Sequence, residues 1–292
     1  MTRRATRSTE TDESYAVPGV RSRTPVASYV VLLALAAFTI LPLLLLWFTA
    51  FKPNIETLTR PYSPPDSLYL HNFPEAWEAG HFGTYFKNSV RITVPVVIAS
   101  VVCSVLAGYA FACLDFKGRR VLLALFTLGL MIPTQAVLIP LFITMRDLHL
   151  LDTFWSVVVA EVGFALPFGI FIMRGFFRSL PTELTDAARI DGCSELRLLW
   201  HIALPLSLPA VLALAVFQFI FSWNDFLFPL LFLSSEDART LPLGLISFQG
   251  RYSTNWALTG AGVIMISAPV ILLYIVLQRH FVRGIVAGGL RG

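Results

Sequence analysis

Five long stretches of this chain contain no Asp, Glu, Lys or Arg: Val26–Phe51, Ile92–Leu114, Val121–Met145, Ile202–Asn224 and Trp256–Gln278. A sixth, Thr153–Met173, contains only Glu161. Crossing the hydrocarbon of a bilayer takes about 20 apolar residues in a helix. Inside it only helices and closed barrels satisfy their own backbone hydrogen bonds. With 56% hydrophobic and 14% charged residues, against about 25% charged in soluble domains, the pattern predicts an all-α integral membrane protein with six transmembrane helices. The first stretch is too long, and lies too far from the start, for a cleaved signal peptide, so it reads as a retained helix.

Basic residues set orientation. If all six stretches cross, fifteen Lys and Arg fall on one side, among them Arg3, Arg4, Lys117, Arg119, Arg174 and Arg189. Seven, including Lys52, Arg91 and Arg239, fall on the other. Both termini are therefore predicted cytoplasmic, in a multi-pass protein of the cell membrane. The expected organisation is a disordered cytoplasmic tail over 1–25, a first transmembrane helix over 26–51, an extracytoplasmic loop over 52–89, five spans within 90–283, and a cytoplasmic tail over 284–292. The outer loop, with Pro53, Pro61, Pro64, Pro65 and Pro74, should be mostly extended and turned.

Leu180–Pro209 cannot lie in a bilayer, because it carries Glu183, Asp186, Arg189, Asp191, Glu195 and Arg197. Pro181 suits a first helical turn, and Glu183 and Asp186 sit near the positive end of the helix dipole. Leu180, Leu184, Ala187 and Ala188 form a narrow apolar stripe. Asp191-Gly192 reads as a stop, since glycine tolerates the left-handed conformation that ends helices. Ser194 can cap a second helix running from Glu195 to Trp200. The unit is helix, glycine turn, helix, between two spans.

A few polar residues fall at membrane depth: Gln135 beside Pro133, Glu161, Gln218, and Asn224-Asp225 after Trp223. Such groups face a bundle interior, a cavity or another helix rather than lipid. Pro133 and Pro140 should kink the third span. Cys103, Cys113 and Cys193 show no pairing or ligand spacing, and the five histidines are scattered, so neither a metal site nor a catalytic set is expected.

The helix–glycine–helix unit resembles the cytoplasmic loop signature of permease subunits of binding-protein-dependent ABC importers. That signature is Glu-Ala-Ala, a following Gly, then Ile-x-Leu-Pro. Asp186-Ala187-Ala188, Gly192 and Ile202-Ala203-Leu204-Pro205 stand in those places, with Asp for Glu. The resemblance implies a coupling helix over about 181–200 that docks on an ATP-hydrolysing subunit, using Glu183, Asp186, Ala187, Ala188, Asp191, Gly192, Ile202, Leu204 and Pro205. Trp223-Asn224-Asp225-Phe226 with Pro229, Thr240–Leu245 and Gln278–Gly284 resemble the sugar-transporting branch, of which the maltose-type permease is an example. That implies a sugar as cargo, with Gln135, Gln218, Trp223, Asn224 and Asp225 along its pathway.

The implied partners are a second, homologous permease in a heterodimer, two ATP-binding subunits, an extracytoplasmic sugar-binding protein and membrane lipid. Nucleic acid is not among them. No cofactor is expected in this chain: it has no Gly-x-x-x-x-Gly-Lys-(Ser/Thr) loop, so ATP and Mg²⁺ belong to the partner ATPase. Alternative readings are a permease for another small polar solute such as a polyamine or peptide, an ion-coupled secondary carrier, and a membrane-bound enzyme.

Overall fold

A computed structural model describes residues 26–250 and 253–289. The expected tail at 1–25 and the side chains of Ala27 and Leu277–Gly292 lie outside what is described. Among the described residues the chain is helical throughout, with no strand and one isolated bridge between Gln249 and Thr254.

The chain divides after Leu44. The first unit holds residues 26–44 of helix α1 (Val26–Ala50), whose side chains are apolar on every side and largely exposed. A helix with no polar face needs an apolar surrounding.

The second unit, Leu45–Gly292, begins with short helices α2 (Asn54–Thr59) and α3 (Asn72–Ala79), followed by the long α4 (Phe82–Cys113). The expected extended loop over 52–89 is thus partly helical. The second long helix starts at Phe82 rather than beyond residue 89, because Phe82 and Tyr85 are themselves core residues. Lys52 is fully buried beneath this segment. Its ammonium donates to the carbonyl of Arg60 at 2.8 Å and to that of Ser63, while Asn72 Nδ2 donates to the carbonyls of Ala50 and Lys52, each at 2.8 Å.

The expected third span is two helices, α5 (Arg119–Gly129) and α6 (Thr134–Asp147), bent by 104°. Pro133 lacks a donor and restrains Ile132 before it, so the helix stops and restarts rather than merely kinking. Helix α7 (Phe154–Arg178) follows, then α8 (Thr182–Ile190) and α9 (Glu195–Leu198). A π-helical turn over Leu199–Ala203 leads into α10 (Leu204–Leu206) and α11 (Leu208–Trp223). The expected fifth span is therefore broken as well, by 79° at Ser207, two residues ahead of Pro209. Helices α12 (Leu227–Phe232), α13 (Leu241–Gly244) and α14 (Trp256–Gly289) complete the chain. The last runs past residue 283, where the sequence reading began a tail. Among the described residues four helices are long and apolar enough to cross a membrane alone, and up to six segments qualify if each bent pair is one span.

Helices α4 and α7 pack most closely. A Cβ on Gly108 would lie 2.6 Å from Cβ of Met173 and 3.0 Å from the backbone nitrogen of Arg174, so only glycine lets the two backbones approach there. The core falls into clusters along α4. Phe82 and Tyr85 at its first turn pack with Trp223, Leu241, Phe248 and Ala261. Val105 and Tyr109 near its last turn pack with Met173, Phe177, Leu198, Leu199 and Leu214. At about 1.5 Å per residue those two clusters are some 35 Å apart, at opposite ends of the bundle.

Candidate functional site

Helix α8 ends as its sequence dictates. Gly192 sits at φ 76°; its N–H donates to the Arg189 carbonyl at 3.0 Å, and the Cys193 N–H donates to the Ala188 carbonyl at 2.9 Å. This pair of bonds is the Schellman closure, which satisfies carbonyls the helix end leaves bare. Pro181 occupies the N-cap position of α8 rather than its first turn. Ser194 is the N-cap of α9 in extended conformation, without a side-chain capping bond. The second helix is shorter than expected, giving way at Leu199 to the π turn.

A polar tie fastens this turn to the end of α4. Tyr109, 3% exposed, donates its hydroxyl to Glu195 Oε2 at 2.7 Å. Arg189 Nε donates to Glu195 Oε1 at 2.8 Å, and its Nη1 to Asp186 Oδ1 at 3.2 Å. Arg189 Nη2 reaches the Cys113 carbonyl at 3.5 Å, and the Glu195 carboxylate pushes this guanidinium further above its ordinary pKa. The Arg189–Glu195 pair is more than a third exposed on both sides, so by itself it contributes under about 1 kcal/mol. The heavier anchor is apolar: Ala188, Leu198, Leu199 and Ala203 are buried against Met173 and Phe177, with the Tyr109 and Phe177 rings edge to face at 5.6 Å.

The residues singled out in the sequence consequently divide. Glu183, Asp186, Ala187, Asp191, Gly192 and Pro205 are exposed, Ile202 and Leu204 are half-buried, and Ala188 faces the chain's own core. The small size of Ala188 serves packing on α4 and α7. Sequence reasoning missed Ile190, which is 86% exposed at the end of α8; Leu184 and Leu196 in the same unit are exposed as well. It also missed Tyr109, Arg189 and Glu195 as a tie. The i,i+3 spacing of Asp186 and Arg189 was the one local signal for it.

The membrane-depth residues do not form one polar surface. Gln218 is 2% exposed and its Nε2 reaches the Ala165 carbonyl at 3.5 Å. Trp223, also 2% exposed, donates Nε1 to the Ile266 carbonyl at 3.0 Å and stacks on Phe219. Both are part of the helix packing. Asn224 is exposed and bonds back to the Ile220 carbonyl. Asp225 accepts from the backbone N–H groups of Leu227 and Phe228 at the start of α12. Gln135 is exposed in the first turn of α6, and no hydrogen bond joins it to the others. Glu161 is 1% exposed; Ser222 and Asp225 are its polar neighbours, yet neither carboxyl oxygen has a well-formed hydrogen bond. Among the described residues no group of His, Cys, Asp and Glu could hold a metal ion.

Residues 100–287 match the family described as "Binding-protein-dependent transport system inner membrane component". The arabinooligosaccharide transport system permease AraQ of Halalkalibacterium halodurans is 37% identical over 279 residues, covering 93% of this chain and 99% of that protein. A probable starch-degradation-product transport permease, AmyC of Thermoanaerobacterium thermosulfurigenes, is 34% identical and covers 89% of this chain and 94% of its own length. Among solved structures, a bacterial ABC transporter involved in the import of the acidic polysaccharide alginate superposes with a TM-score of 0.76 at 25% identity, over 88% of this chain and 95% of that one.

Proposed function

This chain belongs to the binding-protein-dependent transport system inner membrane components, and on that premise we propose that it is the permease subunit of an ATP-driven importer for a sugar. The relatives named for arabinooligosaccharides and for starch degradation products align over nearly the whole chain, which supports a mono- or oligosaccharide as cargo. The α8–α9 turn is the contact with a separate ATPase subunit, which binds ATP and Mg²⁺. A second homologous permease completes the pathway, and an extracytoplasmic sugar-binding protein delivers the solute. The turn and both termini face the cytoplasm, on the side holding fifteen of the 22 Lys and Arg residues.

The observation that carries this reading is a turn that is rigid and outward-facing at once. The unit leaves Ile190, Leu184 and Leu196 exposed, which supports a protein partner on that side. Its base is bonded to Tyr109 of α4 and packed on Phe177 of α7. Force applied at the tip therefore passes into the two most closely packed helices. The elbow at Ser207 and the break between α5 and α6 are hinge positions where the bundle can change angle.

The test is purification of the tagged chain in mild detergent with the accompanying chains identified, followed by uptake in liposomes. Recovery of a second permease and an ATPase, with sugar uptake dependent on ATP and on the binding protein, is expected. A chain that purifies alone and transports without ATP refutes the proposal.

A further inference from the structure

On the same end of the bundle as the α8–α9 turn, a cavity of about 820 Å³ opens between the link from α4 to α5 and the end of α7. Lys117, Arg119, Arg120, Arg174 and Arg178 line it, against a single acid, Asp115. That acid is already taken, since Arg119 Nη1 holds Asp115 Oδ1 at 2.7 Å. Arg119 also donates from Nε to the Phe111 carbonyl and from Nη2 to the Ala112 carbonyl, so its role is partly to cap α4. Arg174 differs: its Nε is buried and has no hydrogen-bond partner. Neither Arg174 nor Arg178 takes part in any ion pair found among the described residues. Four cations without protein counter-charges around one cavity repel each other unless an anion lies between them.

A second cavity, of about 440 Å³, lies further along α7 and is almost wholly apolar, lined by Gly129, Ile132, Leu141, Val159, Gly163 and Pro167 among others. Helices α5 and α7 border both cavities, and they touch between them at Gly129 and Pro167, where an added Cβ would lie 3.1 Å from the Pro167 Cγ. From Arg174 to Gly163 is eleven residues of helix, or about 16 Å at 1.5 Å per residue. A cationic pocket at the membrane boundary and an apolar groove one acyl chain's reach deeper form the two-part imprint of a phospholipid.

We propose that the pocket between Lys117 and Arg178 binds the headgroup phosphate of an acidic phospholipid of the cytoplasmic leaflet, with an acyl chain lying along the α5–α7 seam. Basic pockets between membrane helices on the cytoplasmic side recognise such headgroups. A zwitterionic lipid brings no net charge to offset four cations, which gives the selectivity. A free phosphate would satisfy the pocket and leave the apolar groove without a role. The bound lipid braces α5 against the end of α7, three residues before the turn that α8 opens. The leaflet assignment rests on the orientation given under the proposed function; the chemistry of the pocket does not.

The experiment is native mass spectrometry of the purified permease complex with added phosphatidylglycerol or phosphatidylcholine, alone and with millimolar glycerophosphate as competitor. Wild type is expected to retain phosphatidylglycerol selectively and to keep it in the presence of glycerophosphate. The R174Q/R178Q variant should bind it about thirtyfold more weakly, taking roughly 1 kcal/mol for each charge removed near the membrane surface. K117Q/R120Q, on two exposed side chains that hold no helix end, should give a comparable loss and guards against misfolding of the first variant. Equal retention of both lipids, or undiminished binding in both variants, overturns the site. Displacement by glycerophosphate replaces the lipid with a soluble anion and overturns the assignment too. Selective lipid binding by a chain that recovers no ATPase would instead sustain the pocket and refute the importer reading.

Discussion

Substitution at Gly192 sets two local energies against each other. Its φ of 76° costs an ordinary L-residue about 1–2 kcal/mol, with β-branched residues at the upper end, and costs asparagine little. A Cβ there meets nothing within 4 Å, so no steric contribution is added. The conformation is held by the two closing hydrogen bonds at 3.0 and 2.9 Å, each contributing about 0.5–1.5 kcal/mol net. For G192A the strain of about 1 kcal/mol is smaller than the two bonds together, and the turn holds. For G192V the strain equals or exceeds them, and the turn opens in a large fraction of molecules. G192N should behave nearly as wild type. All three variants should insert normally, because the strain is confined to one exposed turn. The assay is the yield of ATPase recovered with the tagged chain, alongside ATP-dependent uptake and the amount of chain in the membrane. The expected order is wild type, asparagine, alanine, then valine, with valine at about half of wild type or below. If asparagine fails as badly as valine, the position supplies a bare surface for the partner rather than a backbone angle, and the reasoning is refuted. Wild-type uptake by the valine variant refutes it more directly.

Other positions give further checks. Y109F and E195A should each weaken anchoring of the turn, and a double-mutant cycle on ATPase recovery should show a coupling of about 1.5–3 kcal/mol, the scale of a hydrogen bond to a charged group; additivity would mean the bond at 2.7 Å does not act. Asp152, outside the spans, accepts from the backbone of Ser235 and Ser234, and the Ser235 bond first among these holds its carboxyl below the ordinary range. The unfolded chain therefore binds the proton more readily, so this contribution to stability is complete above the ordinary aspartate value of about 3.9 and fades as pH falls through the lower folded value. Thermal unfolding of D152N and wild type should differ at pH 7 and converge toward pH 3, and a gap that widens in acid would contradict the assignment. E161Q removes a buried carboxyl that lacks a well-formed hydrogen bond, so it should melt at or above the wild-type temperature. A marked loss of stability would show that the carboxyl holds the helices together.

Helix type, approximate span positions and the glycine turn were legible in the sequence, because each is set by short-range chemistry: a run without charge must be shielded from water, and a glycine after Asp191 permits a left-handed stop. The breaks at Leu130–Pro133 and Ser207 were legible only as prolines. A proline states that a helix is disturbed, but the angle is set by what the two halves pack against, so 104° and 79° could not be read from one segment. The same reason hid the polar tie. Tyr109 and Glu195 are 86 residues apart, and nothing local to either names the other. Trp223 and Gln218 show how little a polar residue type says about its role. Their residue types suit a sugar, yet burial commits Trp223 Nε1 to the Ile266 carbonyl and turns Gln218 toward Ala165. In a membrane bundle a polar side chain must find a partner somewhere, and a neighbouring helix is the nearest supply of carbonyls. A polar residue at membrane depth therefore becomes evidence for a solute pathway only after its intramolecular partners have been counted. By that criterion Trp223, Gln218 and Asp225 have partners that the chain itself supplies, whereas Glu161, buried and without a well-formed hydrogen bond, is the residue whose role the helix packing does not account for.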